Sequence, residues 1–123
     1  MEYMLLINAE GEPGSGTEEE QAEMLAAFGK YTQDITASGV LAGSDRLQPP
    51  TAATTVRVRD GQALTTDGPF AETKEWLAGY YKIDVETLDD AIEWASRIPS
   101  VKYGGSIEVR PIHPVPADVS SSS

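Results

Sequence analysis

The sequence predicts an α+β fold in which strands and helices follow one another as βαββαβ, with a β-hairpin inserted between the second and third strands of that frame. Three observations predict this fold. Residues 3–7 form a short apolar run, two later stretches repeat apolar residues at helical spacing, and an alternating segment surrounds the pair Asp60-Gly61.

The apolar run at residues 3–7, Tyr-Met-Leu-Leu-Ile, predicts a central strand that is buried on both faces. Asn8 and a stretch rich in Gly, Pro and Ser at residues 11–16 follow it. These residues favour a loop, so the strand should end near Asn8.

The first helix is predicted to begin at Thr17, because a Thr three residues before Glu20 can form a capping box. Residues 18–20 are all Glu, which suits the positive end of the helix dipole. Gly39 should end the helix in a left-handed conformation. The apolar residues expected on its buried face are Met24, Leu25, Phe28, Tyr31 and Ile35.

A short strand at residues 40–47 should end at Gln48-Pro49-Pro50, since proline cannot donate to a sheet. Residues 54–59 then alternate apolar and polar side chains, and Asp60-Gly61 is typical of a type I′ turn. This hairpin would pair Val58 with Ala63 and Arg57 with Leu64. It would therefore have one aliphatic face and one basic face.

Residues 77–85 predict the next strand, with the side chains of Tyr81, Ile83 and Val85 opposite those of Tyr80, Lys82 and Asp84. Thr87 should cap a second helix that Pro99 closes, and a last strand should span residues 105–112. The apolar stripe expected on this helix is Leu88, Ala91, Ile92, Ala95 and Ile98. Residues 1–112 are thus one domain, and the Pro- and Ser-rich residues 113–123 are expected to be a frayed tail.

Two helices can cover only one face of a four-stranded sheet. The other face would then display residues such as Tyr80, Lys82, Glu108 and Arg110. We expect a homodimer that buries this face.

Composition excludes several classes of function. The 123 residues include 9 Lys plus Arg and 20 Asp plus Glu, and a net charge of −11 opposes nucleic-acid binding. The absence of Cys removes disulfides, thiolate metal sites and cysteine nucleophiles. The sequence contains no spaced metal-ligand set and no phosphate-binding Gly-rich loop, so no metal or cofactor is expected. The first residues fit neither a signal peptide nor a membrane span, which predicts a cytoplasmic protein without membrane contact.

Residues 67–75, Asp-Gly-Pro-Phe-Ala-Glu-Thr-Lys-Glu, resemble the signature of the DGPF branch of the YCII-related proteins. The resemblance extends from about residue 3 to residue 112, through the runs at 39–50, 79–81, 88–91 and 107–111. It implies a ferredoxin-like fold that dimerises into an α/β barrel. It also implies a regulatory context, because members of this branch are often encoded beside extracytoplasmic-function sigma factors. The His and Asp pair of another branch of the family does not carry over, because His113 is the only histidine and follows the last strand.

Asp67 and Glu72 are the candidate acid/base groups. Asp67 precedes Gly-Pro, where Asp commonly accepts a hydrogen bond from the loop backbone. A carboxylate beside Phe70 and Trp76 would instead be partly desolvated, which raises its pKa toward values useful in proton transfer. Glu72 belongs to a mixed-charge run typical of a solvated surface, although loops on a rigid scaffold also carry binding residues.

The candidate ligand-binding residues are Lys74, Arg57, Arg110, Phe70, Trp76 and Tyr80. Lys74 is the expected anion contact, and the two arginines would join it if the strands bring them to one cleft. The aromatic residues either pack in the core or line an apolar pocket in which Tyr80 donates its hydroxyl. Asp45 is interpreted as a turn residue and His113 as an exposed tail residue.

These residues leave three hypotheses open. The first is a small-molecule pocket between the loop at residues 67–76 and the uncovered sheet face, with cofactor-free acid/base catalysis as its chemistry if the protein is an enzyme. The second is a regulatory module whose acidic surface binds a sigma factor. The third is a structural dimer in which the signature loop serves only folding.

Overall fold

The computed structural model describes residues 1–69 and 74–115 and contains two antiparallel sheets and two helices. The larger sheet has four strands in the order β2-β5-β1-β6, and the smaller is the β3-β4 hairpin. The strands are β1 (Glu2–Glu10), β2 (Leu41–Arg46), β3 (Thr54–Arg59), β4 (Gln62–Asp67), β5 (Glu75–Asp84) and β6 (Ser106–Pro111). The helices are α1 (Glu18–Ser38) and α2 (Leu88–Ser96), and short 3₁₀ turns span Pro50–Ala52 and Pro99–Tyr103.

The element order and the all-antiparallel pairing of the larger sheet agree with the α+β prediction and are consistent with a ferredoxin-like fold. β1 and β5 occupy the centre, and β2 and β6 form the edges. No helix among residues 1–69 and 74–115 is long and apolar enough to cross a membrane.

The core lies between one face of the larger sheet and the two helices. Leu5, Ile35, Ile83 and Ile98 are fully buried there. They come from β1, α1, β5 and the segment after α2, so every layer of the fold contributes. The alternation predicted for β5 is confirmed, because Tyr81, Ile83 and Val85 are buried while their neighbours in sequence are not.

Local signals place the starts of both helices and the end of α1 as predicted, whereas α2 ends at Ser96, before the predicted stop at Pro99. The Thr17 side chain accepts a hydrogen bond from the Glu20 backbone, and the Glu20 side chain accepts one from the Thr17 backbone. Gly39 ends α1 with a φ of 83°. Thr87 caps α2 by accepting from the Asp90 backbone N–H.

The predicted apolar stripes are too wide. Leu25 on α1 is 65% exposed, and Leu88 and Ile92 on α2 are 48% and 47% exposed. Each helix therefore buries a narrower strip against the sheet, formed by Tyr31 and Ile35 in α1 and by the two buried alanines in α2. The spacing of apolar residues does not show how a helix is oriented about its own axis, and so it does not show which residues at the edge of the stripe are exposed.

The prediction that β1 is buried on both faces is wrong for the single chain. Tyr3, Leu5 and Ile7 are buried against the helices, but Met4 and Leu6 are only partly buried. They point to the other side of the sheet, where no described segment packs over the strand in the isolated chain. The apolar run thus leaves two of its five side chains without a full cover.

The hairpin forms with the predicted register. Val58 pairs with Ala63 and Arg57 with Leu64. Asp60 and Gly61 have φ angles of 51° and 77°, as a type I′ turn requires. Its side chains are exposed apart from Thr55, which is partly buried.

Candidate functional site

The side of the larger sheet that faces away from both helices is called the open sheet face here. Its members follow from strand register and from the alternation of side chains. A bulge between Ile7 and Asn8 shifts the alternation in β5 by one residue. None of its side chains is fully buried. The residues of the open sheet face are Glu2, Met4, Leu6, Asn8, Glu10, Asp45, Glu75, Leu77, Tyr80, Lys82, Asp84, Ser106, Glu108 and Arg110.

A tyrosine and a carboxylate form a short hydrogen bond on the open sheet face. Tyr80 on β5 lies opposite Asp45 on β2, and its hydroxyl donates to Oδ2 of Asp45 at 2.5 Å. This bond raises the pKa of Tyr80 above its usual value of 10.0, with smaller contributions from desolvation and from the negative charge of Asp45. Tyr80 is therefore a neutral hydrogen-bond donor at neutral pH.

Gly79 allows β2 and β5 to approach closely beside this pair. A Cβ atom at Gly79 would lie 2.7 Å from the backbone oxygen of Asp45 and 3.3 Å from the Cα atom of Arg46. Only glycine fits this contact without a backbone shift. The position of the Asp45 carboxylate thus depends on residue 79 of the neighbouring strand being glycine.

Charged pairs border an apolar centre. Met4 lies between Lys82 on β5 and Arg110 on β6, and Leu6 lies between Tyr80 and Glu108. The ammonium of Lys82 is 3.5 Å from Glu2, and the guanidinium of Arg110 pairs with Glu108. The centre of this face can contact apolar groups, while its edges supply both signs of charge.

An open groove of about 550 Å³ lies where β1 ends and β5 begins. It is lined by Asn8, Glu10, Lys74 and Glu75. The hydroxyl of Ser106 donates to Oε1 of Glu75 at 3.0 Å, which links β6 to the same end of the sheet. Lys74 is the cation of this groove.

Comparison with known proteins places the chain in a family. The model of the YCII-related domain matches residues 1–116. The chain belongs to the YCII-related family. It is also similar to the uncharacterized protein R00369 of Rhizobium meliloti (strain 1021), with 36% identity over 110 residues, which is 89% of each chain.

This YCII-related chain brings three of the predicted ligand-binding residues to one side of the sheet. Tyr80 and Arg110 are on the open sheet face, and Lys74 lines the groove at its end. Trp76 pairs with Ala9 on the side of the helices, and its indole Nε1–H donates to the backbone oxygen of Gly11 at 2.8 Å. Its N–H therefore holds the loop after β1.

Asp67 and Arg57 belong to the hairpin, and both are exposed. Asp67 pairs with Thr54, so its side chain lies on the hairpin face opposite that of Arg57. The next residue, Gly68, is fixed at the hairpin base: its N–H donates to Ala53 at 2.7 Å, and its carbonyl accepts from the Thr55 hydroxyl at 2.9 Å. Phe70 and Glu72 lie outside the described residues.

Several residues of the site were not predicted from sequence. The sequence predicts Asp45 in a turn, but it belongs to β2. Its pairing with Tyr80 depends on the order of the strands, which residues 43–45 do not reveal. Asn8 and Glu10 carry no motif and reach the groove only because β1 pairs with β5. In the described part of the chain, no group of three or more His, Cys, Asp or Glu side chains could hold a metal ion, and His113 is exposed.

Proposed function

We propose that this YCII-related protein binds a small molecule with a carboxylate or carbonyl oxygen on the open sheet face, within a homodimer. The observation that supports this most directly is the groove at the end of that face, which Lys74 and Asn8 line together with Glu10 and Glu75. An ammonium group in a concave site attracts an anionic oxygen, and the amide adds a hydrogen bond. We assign residues 67–75 to the DGPF type of signature as part of the same proposal.

The apolar centre of the open sheet face supports the second half of the proposal. Met4 and Leu6 are partly exposed in the single chain although they belong to a continuous apolar run. Covering them with the same face of a second copy would remove apolar surface from water and close the space above the groove. In this arrangement two four-stranded sheets meet as a dimeric α/β barrel, and the β3-β4 hairpin is an insertion outside it.

Binding at Lys74 is testable by NMR with named probes. Inorganic phosphate, pyruvate and succinate are titrated into the protein, and we expect at least one to shift the backbone amide signals of Asn8, Glu75 and Ser106. Lys74→Ala should abolish these shifts because the cation is lost. Lys102→Ala is the matched control, since Lys102 is an exposed lysine in the 3₁₀ turn after α2. Shifts that persist in Lys74→Ala would contradict the proposal.

A second candidate function, cofactor-free acid/base turnover of such a molecule, is favoured by the hydrogen bond between Tyr80 and Asp45. If a ligand oxygen replaces Asp45 as the acceptor, the Tyr80 hydroxyl stabilises negative charge on that oxygen. The freed carboxylate of Asp45 can then accept a proton from the adjacent carbon. Deuterium incorporation into pyruvate in D₂O, measured with Tyr80→Phe and Asp45→Asn, tests this function. No exchange above the buffer rate would count against it.

A further inference from the structure

The groove beside Lys74 is lined by charges of both signs. Lys74 supplies one ammonium group, and Glu10 and Glu75 supply two carboxylates. A ligand that carries only negative charge would be attracted by the lysine and repelled by both carboxylates. A ligand that also carries a positive group can be attracted by all three side chains, so the charges of the groove favour a dipolar ligand.

The two carboxylates lie opposite each other in the sheet. Glu10 on β1 pairs with Glu75 on β5, so both side chains project from the open sheet face at neighbouring positions. Like charges that lie directly opposite each other destabilise a strand pair. The hydroxyl of Ser106 donates to Oε1 of Glu75 at 3.0 Å, but a hydroxyl has no charge that could offset the repulsion. A cation that contacts both carboxylates would offset it.

The Glu10 carboxylate lies close to Gly104, in the turn before β6. Its Oε2 atom is 3.3 Å from the position that a Cβ atom would take at Gly104. Among residues 1–69 and 74–115, the Glu10 carboxylate forms no ion pair or hydrogen bond with another side chain or with the backbone. Because an ionised carboxylate only accepts hydrogen bonds, Glu10 can receive them from an ammonium group of a ligand.

Lys74 does not neutralise these carboxylates within the described part of the chain. It lines the groove with them, yet it forms no ion pair with any residue of that part. The opposite charges therefore border a space of about 550 Å³ without meeting across it. A space of this size is within the range of small-molecule sites.

We propose that the ligand is a small aminocarboxylic acid, bound as its zwitterion. Its carboxylate would bind the Lys74 ammonium and the Asn8 amide, and its ammonium would lie between Glu10 and Glu75. This inference rests on the proposed function. It adds the class of the ligand and the side chains that recognise its amine.

Matched probes test the inference by NMR titration of the wild-type protein. L-alanine and β-alanine carry both charges, propionate lacks the ammonium of either, and ethylamine lacks the carboxylate. We expect at least one zwitterion to shift the backbone amide signals of Asn8, Glu75 and Ser106. Its dissociation constant should be at least about tenfold lower than those of propionate and ethylamine, because a second charge-assisted hydrogen bond contributes about this much.

The double variant Glu10→Gln, Glu75→Gln tests the contact with the amine. Glutamine keeps the size of each side chain and can still accept from Ser106, but it removes both negative charges. The preference for the zwitterion should be lost, while propionate should bind no more weakly than before. Glu23→Gln, Glu93→Gln is the matched control, because it removes the same charge from exposed positions on the two helices and should keep the preference. The amide spectrum of each variant reports whether it is folded.

The outcomes separate the class of the ligand from the proposed function. Propionate that binds as tightly as both zwitterions would overturn the ligand class and leave the proposed function intact, and so would a preference that persists in Glu10→Gln, Glu75→Gln. Both would be overturned if ethylamine bound as tightly as the zwitterions. Both would also be overturned if none of these probes, nor phosphate, pyruvate or succinate, shifted the signals of the groove.

Discussion

Tyr31 joins the helical layer to the sheet and to α2. Its hydroxyl donates to the backbone oxygen of Trp94 at 2.8 Å, and its ring meets that of Tyr81 edge to face at 5.1 Å. Burial raises the pKa of Tyr31 well above its usual value of 10.0, with a further rise from Tyr81 and a smaller opposing effect of Arg97. The folded state therefore favours the neutral phenol.

This pKa predicts a loss of stability in alkali. The stabilisation is fully present below pH 10.0, the usual pKa that the unfolded chain retains, and is lost as the pH rises toward the higher pKa of the folded state. Urea unfolding of the wild type should show a steeper decline above that pH than Tyr31→Phe. The variant should be less stable at neutral pH by about 1 kcal/mol, because the bond to Trp94 is lost. Equal slopes in alkali would contradict this role.

Asp45 controls the ionisation of Tyr80 on the open sheet face. Replacing the carboxylate by an amide, Asp45→Asn, removes its charge and should return the pKa of Tyr80 toward 10.0. The change is measured by tyrosinate absorbance, with Tyr80→Phe identifying the signal. Asp67→Asn serves as the control, because Asp67 is an exposed carboxylate on the hairpin. A Tyr80 pKa that is the same in Asp45→Asn and in the wild type would show that the hydrogen bond does not form in solution.

At the scale of elements, two glycines should respond in opposite directions. Gly79→Ala places a Cβ atom 2.7 Å from the Asp45 oxygen and forces β2 and β5 apart, at a cost of about 1–3 kcal/mol. Gly29 lies within α1 with nothing near its Cβ position, so Gly29→Ala should stabilise the protein by about 1 kcal/mol. Chemical unfolding measures both. Equal effects of the two variants would mean that the strands tolerate a side chain at Gly79.

Elements set by neighbouring residues could be predicted from the sequence. The capping box at Thr17, the turn at Asp60-Gly61 and the register of the hairpin depend on contacts within a few residues, and all three are confirmed. The predictions for Leu25 and Ile92 are wrong because their exposure depends on how each helix is rotated against the sheet.

The candidate site is only partly predictable, because some of its contacts depend on local alternation and others on long-range strand pairing. Alternation along β5 and β6 is local, and it correctly placed the side chains of Tyr80 and Arg110 opposite the residues that face the core. The contact of Tyr80 with Asp45 and the groove formed by Asn8 and Lys74 require the strand order, which depends on long-range pairing. No spacing within one segment contains that information.

At the scale of the whole molecule, the helices cover one side of the sheet and leave the other to be completed. The single chain leaves Met4 and Leu6 partly exposed, and it leaves an ordered hairpin without a full cover. A second copy would cover the open sheet face, and the groove beside Lys74 would then become an enclosed site. The proposed binding function depends on this assembly.

The molar mass of the wild-type protein in solution tests this account most directly. Multi-angle light scattering at micromolar concentration should give twice the chain mass of 13.2 kDa. Leu6→Arg, which places a charge in the apolar centre of the open sheet face, should give the mass of a single folded chain. A wild type that remains at 13.2 kDa across the concentration range would contradict the claim that a second copy covers this face.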